Sequence, residues 1–304
     1  MIHLLITLLM TNMAHGSLKE RSFLLKGLKV DKIYRSMQGP RKQLTLNKKD
    51  FGTNTFWIKE FSTDVYSSKT KEDSLEFLCH ISLTTYNEGN LVALAQGLNT
   101  LKFPDGFALK ASMSTDKNAF LNAQVLNNNY TDIDKEIDFK ANIKYLTDSE
   151  AKKQKIKPLH FGFVGSLCPV SDCKPVHMHD HKMGHSQPMT SHWYVPPGTH
   201  SYKNKIKLDS FKGKNIKIHY IWLHLHPYGE SLSLKNISKN KVVWKGYAQN
   251  HKEKELITNL DYYSSSKGIL VDPNDEYEVE MIVNNRTKRD VDTMGAFWVY
   301  YSHD

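Results

Sequence analysis

Apolar and polar residues alternate in short runs along nearly the whole chain, and no stretch carries the spacing of a long amphipathic helix. Runs at 56–58, 77–83, 107–113, 120–126 and 137–145 are rich in β-branched and aromatic residues, and Gly, Pro, Asn and Asp separate them. The same pattern returns at 205–208, 216–226, 231–234, 241–244, 277–283 and 295–301. Short strands at this spacing predict an all-β fold of two tandem antiparallel, jelly-roll-like β-sandwiches. Only 91–98 reads as a short helix. At 304 residues the chain is long enough for two domains of ~150 residues. Residues 148–197 read as linker-like, closed by the turn Pro196-Pro197-Gly198. The expected units are an N-terminal sandwich at 28–190, with a His-rich linker at its end, and a C-terminal sandwich at 191–304.

Composition narrows the function classes. With 39% hydrophobic and 24% charged residues, wholesale disorder is excluded. No apolar run approaches the ~18 residues of a membrane span, so no membrane insertion is expected. The net charge of +9 comes mostly from scattered lysines without an arginine cluster, so no nucleic-acid partner is expected. Three cysteines exclude a disulfide-dense scaffold. The run Ile2 to Met10, followed by Ala14 and Gly16, is of signal-peptide length, and 1–16 is read as a leader for export. A buried first strand or helix is the alternative. Export would permit a disulfide between Cys168 and Cys173, provided geometry allows it.

Histidine carries the chemical signal. Most of the fifteen His fall between His177 and His226. On a strand, His224 and His226 of the run Trp222-Leu223-His224-Leu225-His226-Pro227 point to the same face. Two adjacent imidazoles make a natural metal pair, although such a pair is also common as polar residues at a strand end. The tract 177–185 holds four His and two Met, among them His177, His179 and His181. Short His-rich tracts bind copper or zinc, or are plain solvated loops. His192, ahead of Trp193, is either an orienting neighbour of a metal ligand or a core hydrogen-bonding residue.

The C-terminal half resembles the copper type II, ascorbate-dependent monooxygenases, the family of peptidylglycine α-hydroxylating and dopamine β-monooxygenases. The shared features are the Val195-Pro196-Pro197-Gly198 turn, His224-Leu225-His226, Asp275-Glu276-Tyr277, Asn285-Arg286-Thr287, and a Met before the aromatic end Val299-Tyr300-Tyr301. The resemblance implies that His224, His226 and Met294 hold an oxygen-binding copper. Imidazole suits copper, a thioether favours Cu(I), and three ligands leave a position open. Met294 as a core methionine is the plainer alternative. In the N-terminal half, Cys79-His80 stands where the family has paired histidines, so His80, with Cys79 as thiolate or buried thiol, marks a first copper site that is lost or rebuilt. Trp222 stands where the peptide-hydroxylating member has a substrate-binding Arg, and Trp298 replaces a Tyr, so an anionic peptide end is not the expected substrate. A looser resemblance to bacterial proteins of unassigned function rests on Tyr34-Arg35-Ser36-Met37, Cys79-His80, His192-Trp193 and His224-Leu225-His226-Pro227.

The expected function is a copper-dependent monooxygenase that hydroxylates an apolar or aromatic small molecule with an ascorbate-like electron donor, acting as an exported monomer. An exported copper-binding or carrier protein on the same fold is the alternative. A purely structural β-sandwich without metal is the third reading.

Overall fold

The computed structural model describes residues 18–86, 89–113, 118–176, 188–208, 211 and 215–303. The expected leader and the 177–185 tract, with His177, His179 and His181, lie outside the described residues. The first nine strands are β1 (Lys19–Val30), β2 (Arg41–Leu46), β3 (Thr55–Ser67), β4 (Leu78–Thr85), β5 (Gly89–Ala95), β6 (Thr100–Lys102), β7 (Phe107–Ser112), β8 (Ala119–Val125) and β9 (Lys135–Thr147). After them come β10 (Lys157–Gly165), β11 (Cys168–Pro169), β12 (Met189–Thr190), β13 (Trp193–Val195), β14 (Gly198–Ile206), β15 (Ile216–Leu225) and β16 (Gly229–Asn236). The chain finishes with β17 (Lys241–Asn250), β18 (Ile257–Leu260), β19 (Tyr262–Val271), β20 (Tyr277–Asn285), β21 (Val291–Thr293) and β22 (Gly295–His303). Two short helices, α1 (Lys48–Phe51) and α2 (Asp148–Lys153), each begin with a capping box, Asn47 with Asp50 and Thr147 with Glu150.

The fold is all-β, and nearly all of its strand pairs are antiparallel, as the alternation predicts. One long sheet runs in the order β1-β9-β3-β7-β10-β22-β15-β19, with β6 on β3. The sheet β2-β8-β4-β5 packs on its N-terminal half, and β14-β20-β16-β17-β18 packs on its C-terminal half. Strand alternation builds both sandwiches. In β20, Tyr277, Val279, Met281 and Val283 face the core, while Glu278 and Glu280 face outward. In β4, Ile81 and Leu83 face the core, and His80, Ser82 and Thr84 turn to the opposite face. Strand β15 is buried on both faces, as suits a strand inside a large sheet.

Two expectations about local structure change. The 91–98 segment is not a helix. It falls on β5, where Leu91 to Ala95 are all buried and pair with β4. A short apolar run buried on both faces has no period to distinguish strand from helix. The segment 148–197, read as linker, contains α2 and β10. Strand β10 joins the halves, pairing in parallel with β7 and antiparallel with β22. The main core cluster spans both halves, and in it Phe103 of the N-terminal half packs edge-on against Tyr220 and Tyr300 of the C-terminal half. Cys168 and Cys173 form a disulfide. Among the described residues, no helix is long and apolar enough to cross a membrane.

Candidate metal centre

Three chain segments bring the site together. Strand β15 ends at Leu225, and the chain turns through Pro227, with Gly229 N donating to His226 O at 3.0 Å. His224 and His226 thus end the strand side by side, with ring centroids 5.4 Å apart. Strand β21 pairs with β13 and places Asp292 opposite Tyr194. Just before β13, Thr190 fixes His192 by donating to its carbonyl at 2.9 Å and accepting from its N–H at 3.2 Å.

At the centre, Asp292 Oδ2 is 3.1 Å from both His192 Nε2 and His226 Nδ1. His226 Nε2 in turn lies 3.2 Å from Ser36 Oγ of the N-terminal half. Burial works to raise the Asp292 carboxyl, but the hydrogen bonds from His192 and His226 outweigh it and hold it far below the usual carboxylate range. The ligand atoms of His192, His226 and Asp292 lie within 4.8 Å of one another, and all three residues are buried. A four-coordinate ion with bonds of ~2.0–2.1 Å needs donors roughly 3.3 Å apart, so the two 3.1 Å separations fit.

The N-terminal sandwich supplies the rest. The register of β4 against β8 shifts between Leu78 and His80, and a bulge of this kind lets the consecutive residues Cys79 and His80 both reach the site. Cys79 Sγ lies 3.0 Å from His80 Nδ1, and His80 Nε2 lies 3.5 Å from His224 Nε2. His224 Nδ1 is buried without a hydrogen-bond partner. Burial, reinforced by the neighbouring His226, pushes His80 down to about 3. Burial and the neighbouring His80 also carry His224 well below its ordinary value. Both rings are therefore neutral near pH 7, with lone pairs to offer. Burial pushes the Cys79 thiol up to about 11, so it is protonated. A cavity of about 20 Å³ is enclosed by Ser36, Cys79, His80, His224, His226 and Asp292. That is room for one water or one small ion. On the outer side the cluster meets a cleft of about 770 Å³, onto which His80, His192, His224, Met294, Trp222 and Trp298 open.

The structure thus gathers His224, His226, His80 and Cys79. Met294 meets the cluster differently: its carbonyl accepts from His226 N at 3.2 Å, and the residue lines the cleft. Asp292 carries no local signal in the sequence, and Ser36 joins the site only through the fold. The looser set of shared residues, with Ser36, Cys79, His80, His192, His224 and His226, does coincide with the cluster.

No family model matches the sequence, and no curated protein matches it. The chain is similar in structure to the STIV MCP, with 10% identity and TM-score 0.41, covering 94% of this chain and 97% of that one. It is also similar to PBCV-1 VP54, with 7% identity, TM-score 0.38 and coverage of 94% of each chain. For the cowpea mosaic virus top component the values are 9% identity, TM-score 0.36, and coverage of 99% of this chain and 95% of that one. Likenesses this distant do not by themselves assign an activity.

The resemblance to copper monooxygenases is corrected. Neither a family model nor a curated protein supports it, and the solved structures named above are of virus proteins. The geometry agrees. In the resemblance His80 marks a first site, lost or rebuilt, apart from that of His224, yet His80 and His224 meet in a single cluster. The resemblance also requires His224 and His226 to share one open site, yet His226 is held between Asp292 and Ser36 while His224 faces His80. The readings as a copper-dependent enzyme and as a copper carrier are both withdrawn.

Proposed function

We propose that the chain is a structural double β-sandwich whose C-terminal half holds, on its side toward the other half, one divalent ion bound by His192, His226 and Asp292. The observation that carries this reading is the gathering of three buried ligand-bearing side chains whose donor atoms lie within 4.8 Å of one another, with Asp292 lying 66 and 100 residues from His226 and His192 in sequence. A buried carboxylate facing two imidazoles is a donor set for zinc. The ion would join the β13–β21 ribbon to the end of β15, where Ser36 of the other sandwich leans on His226. His80 and His224 stand beside it with lone pairs available, and Met294 flanks them on the cleft side.

Equilibrium dialysis of chelator-treated protein against zinc tests this. One ion per chain in wild type, and none in His192→Ala or Asp292→Asn, supports it. Equal uptake by wild type and both variants contradicts it. The Cys168–Cys173 disulfide supports an exported location, where oxidising conditions preserve such bonds.

Self-association is a second reading, favoured by one observation. Strand β19 ends the long sheet and exposes Tyr262 at 55% and Leu270 at 59% on an open edge, a template for pairing with another chain. Sedimentation velocity of wild type against Leu270→Lys tests it. An assembly in wild type that the variant loses supports it, and a monomer in both contradicts it.

A further inference from the structure

We propose that the cleft between the two sandwiches binds a neutral saccharide. Its volume of about 770 Å³ lies inside the ~300–1,000 Å³ range of small-molecule sites. Its two walls differ in chemistry, and the difference follows from strand register. On one wall, Phe163, Trp298 and Trp222 are direct cross-strand neighbours on β10, β22 and β15. The Trp222 and Trp298 rings stack at 5.6 Å with 23° between their planes, and Phe163 meets Trp298 edge-on at 6.1 Å. Strands lie ~4.8 Å apart, so this row is roughly 10 Å long. Trp222 itself is 1% exposed, so Phe163 and Trp298 are the members that offer ring surface to the apolar C–H face of a sugar ring.

The opposite wall is the outward face of β2, β8 and β4. Alternation puts Gln43, Asn122, Ser82 and Thr84 there, all neutral amides and hydroxyls. They are ordered in advance: Gln43 Nε2 donates to Asn122 Oδ1 at 2.7 Å, and Asn122 Nδ2 donates to Thr84 Oγ1 at 3.3 Å. Each such group can both give and take hydrogen bonds, as the hydroxyls of a sugar require. Among the described residues no carboxylate lines the cleft, which gives a cationic ligand no partner. Of the two cations there, Arg41 directs one of its donors to Met37 O and Lys42 one to Lys26 O. A purely apolar ligand would desolvate the amide wall without replacing its hydrogen bonds with water. A ring with one apolar face and many hydroxyls satisfies both walls.

This inference does not depend on the metal, so the test uses chelator-treated protein. Maltotetraose, cellotetraose and chitotetraose are titrated separately, with binding read by tryptophan fluorescence and by calorimetry. The expected result is saturable binding of at least one of them with Kd below ~1 mM, weakened about tenfold or more in Trp298→Ala and in Gln43→Ala. Gln43 is exposed, so its replacement leaves the fold intact, and circular dichroism verifies this. Three results would overturn the proposal: no saturation by any of the three up to about 10 mM, binding unaffected by both substitutions, or saturation by adenosine where none of the tetrasaccharides saturates.

Discussion

His80 of β4 and His224 of β15 face each other across the junction of the two sandwiches, with their Nε2 atoms 3.5 Å apart. Both rings are neutral, so one ring donates and the other accepts. Whichever way that proton points, His224 Nδ1 finds no protein partner. A buried polar group left unpaired costs about 1–3 kcal/mol. In metal-free protein His224→Leu removes that unpaired group but takes the partner from His80 Nε2, so the two effects offset and stability by chemical denaturation should stay within about 1 kcal/mol of wild type. A loss of more than about 2 kcal/mol, the scale of a lost core contact, contradicts this.

Asp138 should give the fold an acid-sensitive element. Burial works to raise this carboxyl, but hydrogen bonds from Ser68, Gly27 and Lys71 outweigh it and lower its pKa. A carboxyl with a lower pKa folded than unfolded stabilises the fold above the unfolded value of about 4, and that contribution is lost as pH falls further. Asp138→Asn should cost about 1–3 kcal/mol at neutral pH and flatten the stability profile below about pH 4. An unchanged acid profile in the variant contradicts the assignment.

Gly97 and Gly106 form a matched pair. Both have left-handed backbones, with φ of 89° and 80°. A Cβ on Gly106 meets nothing within 4 Å, whereas one on Gly97 would lie 2.6 Å from Ile257 Cγ2 of the other sandwich. Gly106→Ala should cost about 1–2 kcal/mol, the conformational penalty alone. Gly97→Ala should cost clearly more in urea unfolding, and equal costs would show that the halves are not tightly apposed there.

Gln96 is a second fastening between the halves. Its Oε1 accepts from Ile257 N at 2.9 Å, and its Nε2 donates to Glu76 O at 2.9 Å. Gln96→Leu leaves the buried Ile257 N–H unpaired and should lower stability by about 1–3 kcal/mol. A neutral effect on thermal unfolding contradicts this role.

The fold was legible because alternation is local. The runs at 77–83 and 277–283 became β4 and β20 with the faces their sequence implies. Strand β10 was hidden in a segment that charged residues and cysteines made resemble a linker, although Leu159, Gly162 and Val164 are its buried positions. The site was half legible. His224 and His226 are two residues apart on one strand, and that spacing is a local signal. Asp292 is 66 residues from His226 and 100 from His192, and only the pairing of β13 with β21 brings it to them. Copper chemistry was inferred from a motif, whereas the partners of each imidazole are set by the tertiary fold.

The proposal of an ion at His192, His226 and Asp292 is tested most directly by thermal unfolding of chelator-treated protein with and without added zinc, in wild type and in Asp292→Asn. A ligand at a hundred times its Kd stabilises the folded state by about 2.7 kcal/mol. The account predicts a rise of several degrees in Tm for wild type on zinc addition and none for Asp292→Asn. An unchanged Tm in wild type, or an equal rise in both proteins, would contradict it.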